Sequence, residues 1–448
     1  MNRTNSGLNK NLPWFVYVKR SLGLTVFVIL LVLCYQLVSA INFFKFLEVK
    51  AAASYNWYPG YYLLASSGAT ADGKKQIMDD PLSAPFDGFQ FRYQWADSEL
   101  SPGDYSAGFA MLDADLAQVA LRNKKLFVML MYKKFDGTSA VPQDLRTGPG
   151  PWCIGSYCGD LVVGSSHLAM LWNSSVETRL RNWLTAMASH LAASPNNKYV
   201  AGIVFPETSL GTTDTNILAN AGFDPYVYIN AIQSNLLAST GAAQNLVTFY
   251  YHEGGFVSMD GKSVNAGQVM GDWMLQHPRI GTGTPDAQPK NPKTSGHPCA
   301  NTKYQRLIPC MPNVQAPDYA LTVTDSITST FNYSLNPAPS GLFGSYITFS
   351  YSVGSGPNAF TLADVSNYIK SHPIPAQNAI APWGNSTSTP TAKPGDASGD
   401  GKVDGIDYVI WLNHYGTATA IGNRDGDFNS DQNVDGLDYV IWLNNYGK

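Results

Sequence analysis

The chain has 448 residues, enough for more than one domain, with 29 Lys and Arg against 33 Asp and Glu and a net charge of −4. No basic stripe runs through it, which argues against nucleic acid as a partner. Only 14% of residues are charged while 12% are aromatic, and this balance, rich in Trp, Tyr, Asn, Ser and Thr, suits an exported protein that handles sugars.

The N-terminus reads as a targeting segment. Arg3, Lys10, Lys19 and Arg20 precede an apolar run from Leu22 to Val38, and Val38 and Ala40 offer small residues at the −3 and −1 positions of a signal peptidase site. Residues 1–40 are therefore expected to be a signal peptide, with Ala51, Ala52 and Ala53 as an alternative cut. The run is 17 residues long, at the short edge of a bilayer span, so a retained signal anchor is the competing reading. Membrane contact is expected only in that case. Either way the bulk of the chain is exported, secreted or held at the cell surface, and residues 41–54 form a spacer. Outside the apolar run, which contains Cys34, four cysteines remain in two close pairs. An even number in an exported chain predicts disulfides, with local pairing of Cys153 with Cys158 and Cys299 with Cys310 favoured among three connectivities. Zinc is disfavoured, because His167 and His297 lack ligand spacing of a known kind.

Residues 55–383 carry eight strand-like runs: Tyr61 to Ala65, Gly88 to Gln94, Leu126 to Met131, Val200 to Phe205, Leu246 to Tyr251, Arg279 to Gly283, Cys310 to Val314 and Gly344 to Ser350. Several are near-continuous apolar runs, as in buried parallel strands. Helices are expected over Ala110 to Arg122, Glu177 to Ala193, Pro225 to Leu237 and Leu362 to Ser371. The pattern predicts an α/β protein with a (β/α)8 TIM barrel, a doubly wound sheet being the alternative. The sixth and seventh strands carry the weakest signal.

In such a barrel the chemistry collects at the C-terminal ends of the strands. Standing there are Arg92, Trp95 and Glu99 after strand two, and Tyr132 after strand three. Glu207 follows strand four, Tyr251, His252 and Glu253 close strand five, and Asp286 follows strand six. Asn313 and Gln315 end strand seven, and Tyr351 follows strand eight. Acids framed by Trp and Tyr are what a sugar site needs: aromatic faces stack on pyranose C–H surfaces, and carboxylates supply acid and base.

These motifs resemble a known family. Trp95 and Glu99, then Gly103 and Tyr105, then Leu112, Asp113, Asp115 and Leu116, then Lys124, Lys125 and Leu126 resemble the second barrel segment of clan A glycoside hydrolases, whose beta-galactosidase-like and cellulase-like families share that cadence. The resemblance implies Glu207 as the catalytic acid and base at the end of strand four, and Arg92 as the residue that orders the nucleophile. The chain departs from the pattern at Pro206, where an Asn is usual, and at strand seven, where Asn313 and Gln315 stand in place of a Glu. The second carboxylate is then expected to be Asp286 or Glu253. Retention needs the two carboxyls about 5 Å apart and inversion about 6.5–9.5 Å. Arg92, Trp95, Tyr132, Tyr251, His252, Gln315 and Tyr351 are the expected substrate contacts. Each has a plainer reading as core, ion-pair or turn residue, and Glu99 is expected to be structural.

A Ser/Thr/Pro tract over residues 384–393 reads as an extended linker. Beyond it, residues 394–448 hold two copies of one loop, repeated at an offset of 31 residues. A twelve-residue calcium loop draws oxygens from positions 1, 3, 5, 7, 9 and 12. In the first copy these are Asp396, Ser398, Asp400, Lys402, Asp404 and Asp407. In the second they are Asp427, Asn429, Asp431, Asn433, Asp435 and Asp438, with Lys402 and Asn433 contributing backbone carbonyls. Position 6 is Gly401 in the first copy and Gln432 in the second, so the second site is expected to be the more strained or weaker. Each loop runs into nearly the same helix, Tyr408 to Tyr415 and Tyr439 to Tyr446. This region resembles a type I dockerin, a small all-α module of paired EF-hand-like loop–helix motifs. The resemblance implies two calcium ions and a cohesin-type partner. The positions that recognise cohesin in the family are Gly405, Ile406, Gly436 and Leu437 here, where Ser-Thr is common.

Other chemistries find no motif: there is no G-x-S-x-G elbow, phosphate loop or H-E-x-x-H. The sequence therefore predicts an exported glycoside hydrolase tethered by a calcium-dependent dockerin. The rivals are a non-catalytic polysaccharide-binding or scaffold barrel and a purely structural surface protein.

Overall fold

A computed structural model describes residues 55–65, 70–252, 264–289, 296–320, 326–352, 359–382, 394–397, 402–417, 426–429 and 433–447. The chain divides at Ser54 into two units, and the first lies wholly outside the described residues. So do the expected signal segment, spacer and Ser/Thr/Pro linker, Glu253, and the loop positions Ser398, Asp400, Gly401, Asp431 and Gln432.

All eight expected strands form, and they close a barrel. They are β1 (Gly60–Leu64), β2 (Gly88–Gln94), β3 (Lys125–Met131), β4 (Val200–Glu207), β5 (Thr248–Tyr251), β6 (Ile280–Thr284), β7 (Cys310–Val314) and β8 (Tyr346–Ser350). Each pairs in parallel with its sequence neighbours, and β8 closes on β1 through Gly60 opposite Tyr346 to Leu64 opposite Ser350. The doubly wound alternative is excluded by that closure.

Seven helices of nine residues or more lie among the described barrel residues: α1 (Ala71–Asp79), α2 (Ser106–Leu121), α3 (Ser174–Ala193), α4 (Pro225–Ala242), α5 (Ala266–Met274), α6 (Ile327–Leu335) and α7 (Leu362–Ser371). Their starts are chemically set. Asn173 caps α3 by accepting from Ser175 N and Val176 N. Asp224 caps α4 with Pro225 in its first turn, and Thr361 and Asp364 form a capping box on α7. After β6 the described residues show a 3-10 turn at Pro298–Ala300 in place of a full helix. Between β3 and α3 stands an insertion not expected from the sequence. It is a small antiparallel sheet of Lys133–Lys134, Asp160–Val163 and Ser166–Ala169, beside a Cys153–Cys158 hairpin. Both local disulfides form, Cys153–Cys158 and Cys299–Cys310.

The pleat sorts side chains into two buried layers. Tyr61, Leu63, Phe89, Phe91, Val128, Ile203 and Phe205 face outward and pack with the helices, while Tyr62, Phe127, Met129, Phe249, Tyr251, Met311 and Tyr346 face the lumen. The floor is aromatic. Phe127 meets Tyr62 at 4.7 Å and Tyr346 at 5.1 Å edge-on, and Trp57 from the segment before β1 packs on Tyr346 at 5.0 Å. Toward the C-terminal end the lumen turns polar, through Gln90 and Thr348 to Arg92 and Asn313. This gradient confines chemistry to one mouth of the barrel.

The C-terminal region forms α8 (Gly405–His414) and α9 (Gly436–Asn445), each opened by an Asp capping box, Asp404 with Asp407 and Asp435 with Asp438. The repeats are interlocked. Trp411 on α8 donates its indole N–H to the Asp435 carbonyl at 2.9 Å, and Trp442 on α9 donates to the Asp404 carbonyl at 2.9 Å. A small core of Ala397, Trp411, Phe428 and Val434 joins them.

Candidate active site at the barrel mouth

Glu207 ends β4 and reaches the lumen through an irregularity. Tyr250 pairs with Phe205, but Tyr251 pairs with Glu207, so Pro206 is an extra residue in the ladder. Strict alternation from the lumen-facing Val204 would turn Glu207 outward. The bulge resets it to the side of Tyr251, its lumen-facing partner. Proline suits the position because a bulged residue need not donate to the ladder.

Two strands away stands Arg92, on the lumen side of β2. Burial pulls its guanidinium below the usual arginine range, and Tyr251, Glu207 and Asp136 oppose that shift by favouring its charge. Its Nε is buried with no hydrogen-bond partner. Tyr251 is buried beneath, its hydroxyl donating to Gln90 Oε1 at 3.1 Å and lying 3.5 Å from Thr348 Oγ1. Burial raises the Tyr251 phenol, so it stays a neutral donor. Lys133 is almost fully buried and donates from Nζ to the Glu207 carbonyl at 3.0 Å, fixing the end of β4. Asn313 occupies the lumen side of β7, 1% exposed, with its Oδ1 unpartnered, and Gln94 on β2 has both amide atoms buried and unpartnered.

Arg92, Glu207 and Tyr251 are thus brought together, and other expected contacts are placed elsewhere. Trp95 is a core residue, not a sugar platform: it is fully buried, donates to Glu99 Oε2 at 2.6 Å and stacks on Trp183. Glu99 is structural as expected, accepting from Gly103 N at 2.7 Å and pairing with Arg179 at 3.1 Å. Tyr132 is buried in the outer layer, edge-on to Phe205 at 6.1 Å. His252 is also turned away from the lumen, 4% exposed and 5.3 Å from the His297 ring. Burial, reinforced by His297, brings His252 down to about 3. Tyr351 spends its hydroxyl on Asp80 Oδ2 at 2.5 Å, which with burial raises its phenol to about 12. Asp286 is half-buried after β6, where Ala287 N donates to the Asn313 carbonyl at 2.9 Å. Gln315 is half-buried and donates its backbone N–H to Asp318 Oδ2 at 2.7 Å.

Two acids escaped the sequence reading. Asp318, 1% exposed in the turn after β7, also accepts from Gln288 Nε2 and so clips the loops after β6 and β7 together. Asp136 lies in the insertion after β3, paired with Lys134 at 3.1 Å, and its charge acts on Arg92. Its only sequence signal is its place five residues beyond the end of a barrel strand.

In the C-terminal repeats Asp396, Asp407, Asp427 and Asp438 are all buried. Asp438 accepts from Phe428 N, Asn429 N and Asp435 N, which aims the carboxylate into its own loop. Hard oxygen donors of this kind fit a calcium ion. Among the described residues no group of three metal-ligating side chains gathers, with Ser398, Asp400 and Asp431 outside them.

No family model matches the chain, and no curated protein matches it. Among solved structures, the chain is similar to a GH5_18 protein from Streptomyces cattleya in complex with GlcNAc, at 9% identity over 70% of this chain and 81% of that one, with a TM-score of 0.41. An endo-1,4-beta-mannanase from Eisenia fetida gives 15% identity, 72% and 93% coverage, and a TM-score of 0.39. The exo-beta-1,4-mannosidase Op5Man5 from Opitutaceae bacterium strain TAV5 gives 12% identity over 70% of this chain, with a TM-score of 0.35, and the chain spans only 55% of its length. The barrel rests on the chain's own strand order, and these likenesses add nothing about substrate.

Proposed function

We propose that the barrel is a glycoside hydrolase that cleaves O-glycosyl bonds of a polysaccharide or oligosaccharide. The observation that carries this reading is the Pro206 bulge, which turns Glu207 into the polar mouth of an otherwise apolar lumen, where its charge acts on Arg92. Glu207 protonates the leaving glycosidic oxygen, and Arg92 holds the facing carboxylate or substrate oxygen in place. The second carboxylate is Asp286, Glu253 or Asp136.

The C-terminal repeats bind two calcium ions and dock a cohesin-type partner, which tethers the exported barrel. Supporting the docking are two matching apolar stripes, Ile406, Val409 and Leu412 on α8 with Tyr415 at its C-cap, and Leu437, Val440 and Leu443 on α9 with Tyr446 at its C-cap, all 49–62% exposed.

The test is reducing-sugar release from plant, algal and microbial polysaccharides by the full chain and its Glu207→Gln variant. Removing a general acid costs on the order of 10²–10⁴-fold in rate. A second reading, a barrel that binds polysaccharide without cutting it, is favoured by the amide of Asn313 at the lumen position of β7. It predicts no release by the wild type, and it is refuted by release that Glu207→Gln abolishes.

A further inference from the structure

The lumen mouth carries more hydrogen-bonding capacity than its own strands use. Alternation along β2 puts Gln90, Arg92 and Gln94 on the lumen face, opposite Met129 and Met131 of β3 in register. Gln90 is satisfied by Tyr251 and Met129. Gln94, 8% exposed, is not: its Oε1 and Nε2 are both buried without partners. On β7 Met311 faces the lumen and Asn313 follows on the same side, opposite Thr348 of β8, its Oδ1 unpartnered. Arg92 Nε makes a third unpartnered position on the same rim. Buried polar atoms left unpaired are costly, and more than nine in ten in folded proteins find partners. Three such side chains converging on one mouth form a preset pattern of donors and acceptors.

The pattern has a chemical sense. Gln94 offers both a donor and an acceptor, Asn313 an acceptor and Arg92 a donor. A sugar hydroxyl donates and accepts at once, so a pair of neighbouring hydroxyls matches the set. Glu207 and Asp136 act on Arg92, and Lys133 is bound to the Glu207 carbonyl. Among the described residues of these strand ends no further cation stands ready for an anionic ring.

We propose that Gln94 and Asn313 are specificity-determining residues that grip the hydroxyls of one uncharged sugar ring at the barrel mouth. This rests on the carbohydrate reading above and extends it to the substrate class, neutral glycans as against uronic-acid or sulfated ones. The amides do not take part in bond cleavage, and they set which ring enters and in what register against Glu207.

The test uses the full chain carrying Glu207→Gln, so that binding is read without turnover. Probes are soluble galactomannan, xylan and mixed-linkage β-glucan, with polygalacturonate as the charged control, followed by affinity electrophoresis. Gln94→Leu and Asn313→Leu are added singly, each keeping the side chain's approximate volume. The expected result is retention by a neutral glycan and not by polygalacturonate. Each Leu variant weakens it about tenfold or more, since a site built to bond hydroxyls discriminates steeply. The melting temperature should not fall, because each substitution removes an unpartnered buried polar atom. Unchanged retention in both variants would mean that the amides hold only internal water, and would overturn the proposal. So would stronger binding of polygalacturonate, or binding of none of the probes. If one variant fails to fold, the other and the selectivity of the parent still decide. The outcome is separate from the hydrolase reading: a wild type that releases no sugar refutes that reading and leaves this binding test standing.

Discussion

The buried pair His252 and His297 makes stability depend on pH. His297 is held as a neutral ring, its Nε2–H donating to the Gly283 carbonyl at 2.9 Å while Nδ1 accepts from Cys299 N at 3.0 Å. Burial brings His297 down to about 4 and, with the charge of its neighbour, His252 to about 3. Both folded-state values lie below the value of about 6.5 in an unfolded chain. Between those limits the unfolded chain binds more protons than the folded one, so stability is complete above about pH 6.5 and falls as pH drops toward 4. At up to 1.36 kcal/mol per pH unit, each histidine withdraws about 2 kcal/mol between pH 7.5 and pH 5, and the pair about 4 kcal/mol. Urea unfolding followed by tryptophan fluorescence at pH 7.5, 6.5 and 5.0, at fixed ionic strength, reads this directly. His252→Phe should lose only about half as much as the wild type over the same interval. Equal losses in wild type and variant would refute the reasoning.

Other outcomes follow from particular contacts. A Cβ at Gly283 would lie 2.5 Å from the Tyr251 ring and against the Met311 carbonyl. Gly283→Ala should therefore destabilise the barrel by about 1–3 kcal/mol, and an unchanged melting temperature would show that the lumen can yield there. Chelation with EDTA should change the fluorescence of Trp411 and Trp442 and abolish retention on an immobilised cohesin domain. A chain that keeps both would have no calcium requirement.

The barrel was legible because its strands are short apolar runs, and a buried parallel strand is apolar on both faces. The helices that escaped lack that clarity. α5 carries two glycines, and α6 reads ITSTFNYSL, mostly β-branched, aromatic and hydroxyl residues that favour a helix weakly. At the site, parity decided what was misread. Counting from lumen-facing Arg92, Met131 and Tyr251, the residues Trp95, Tyr132 and His252 fall on odd steps, so the pleat sends them outward. All three stand at strand ends, and the count that turns them outward is already in the sequence. Gln94 falls on an even step, which puts it on the lumen face. Glu207 breaks the count, and only a proline one residue earlier hinted that the ladder would slip there. Asp136 sits in an irregular loop and Asp318 in a single 3-10 turn, Ala316–Tyr319, both too short for a periodicity to encode side-chain direction.

The interlocked tryptophans of the C-terminal repeats have a consequence for how that region assembles. Each loop is finished by an indole from the other half, so neither repeat is a complete folding unit. Whatever orders one loop also positions the helix that closes its twin, and the two halves gain or lose structure as one. A chain cut after α8 would leave Asp404 without its donor and Trp411 without its acceptor. The surviving repeat would unfold rather than stand alone.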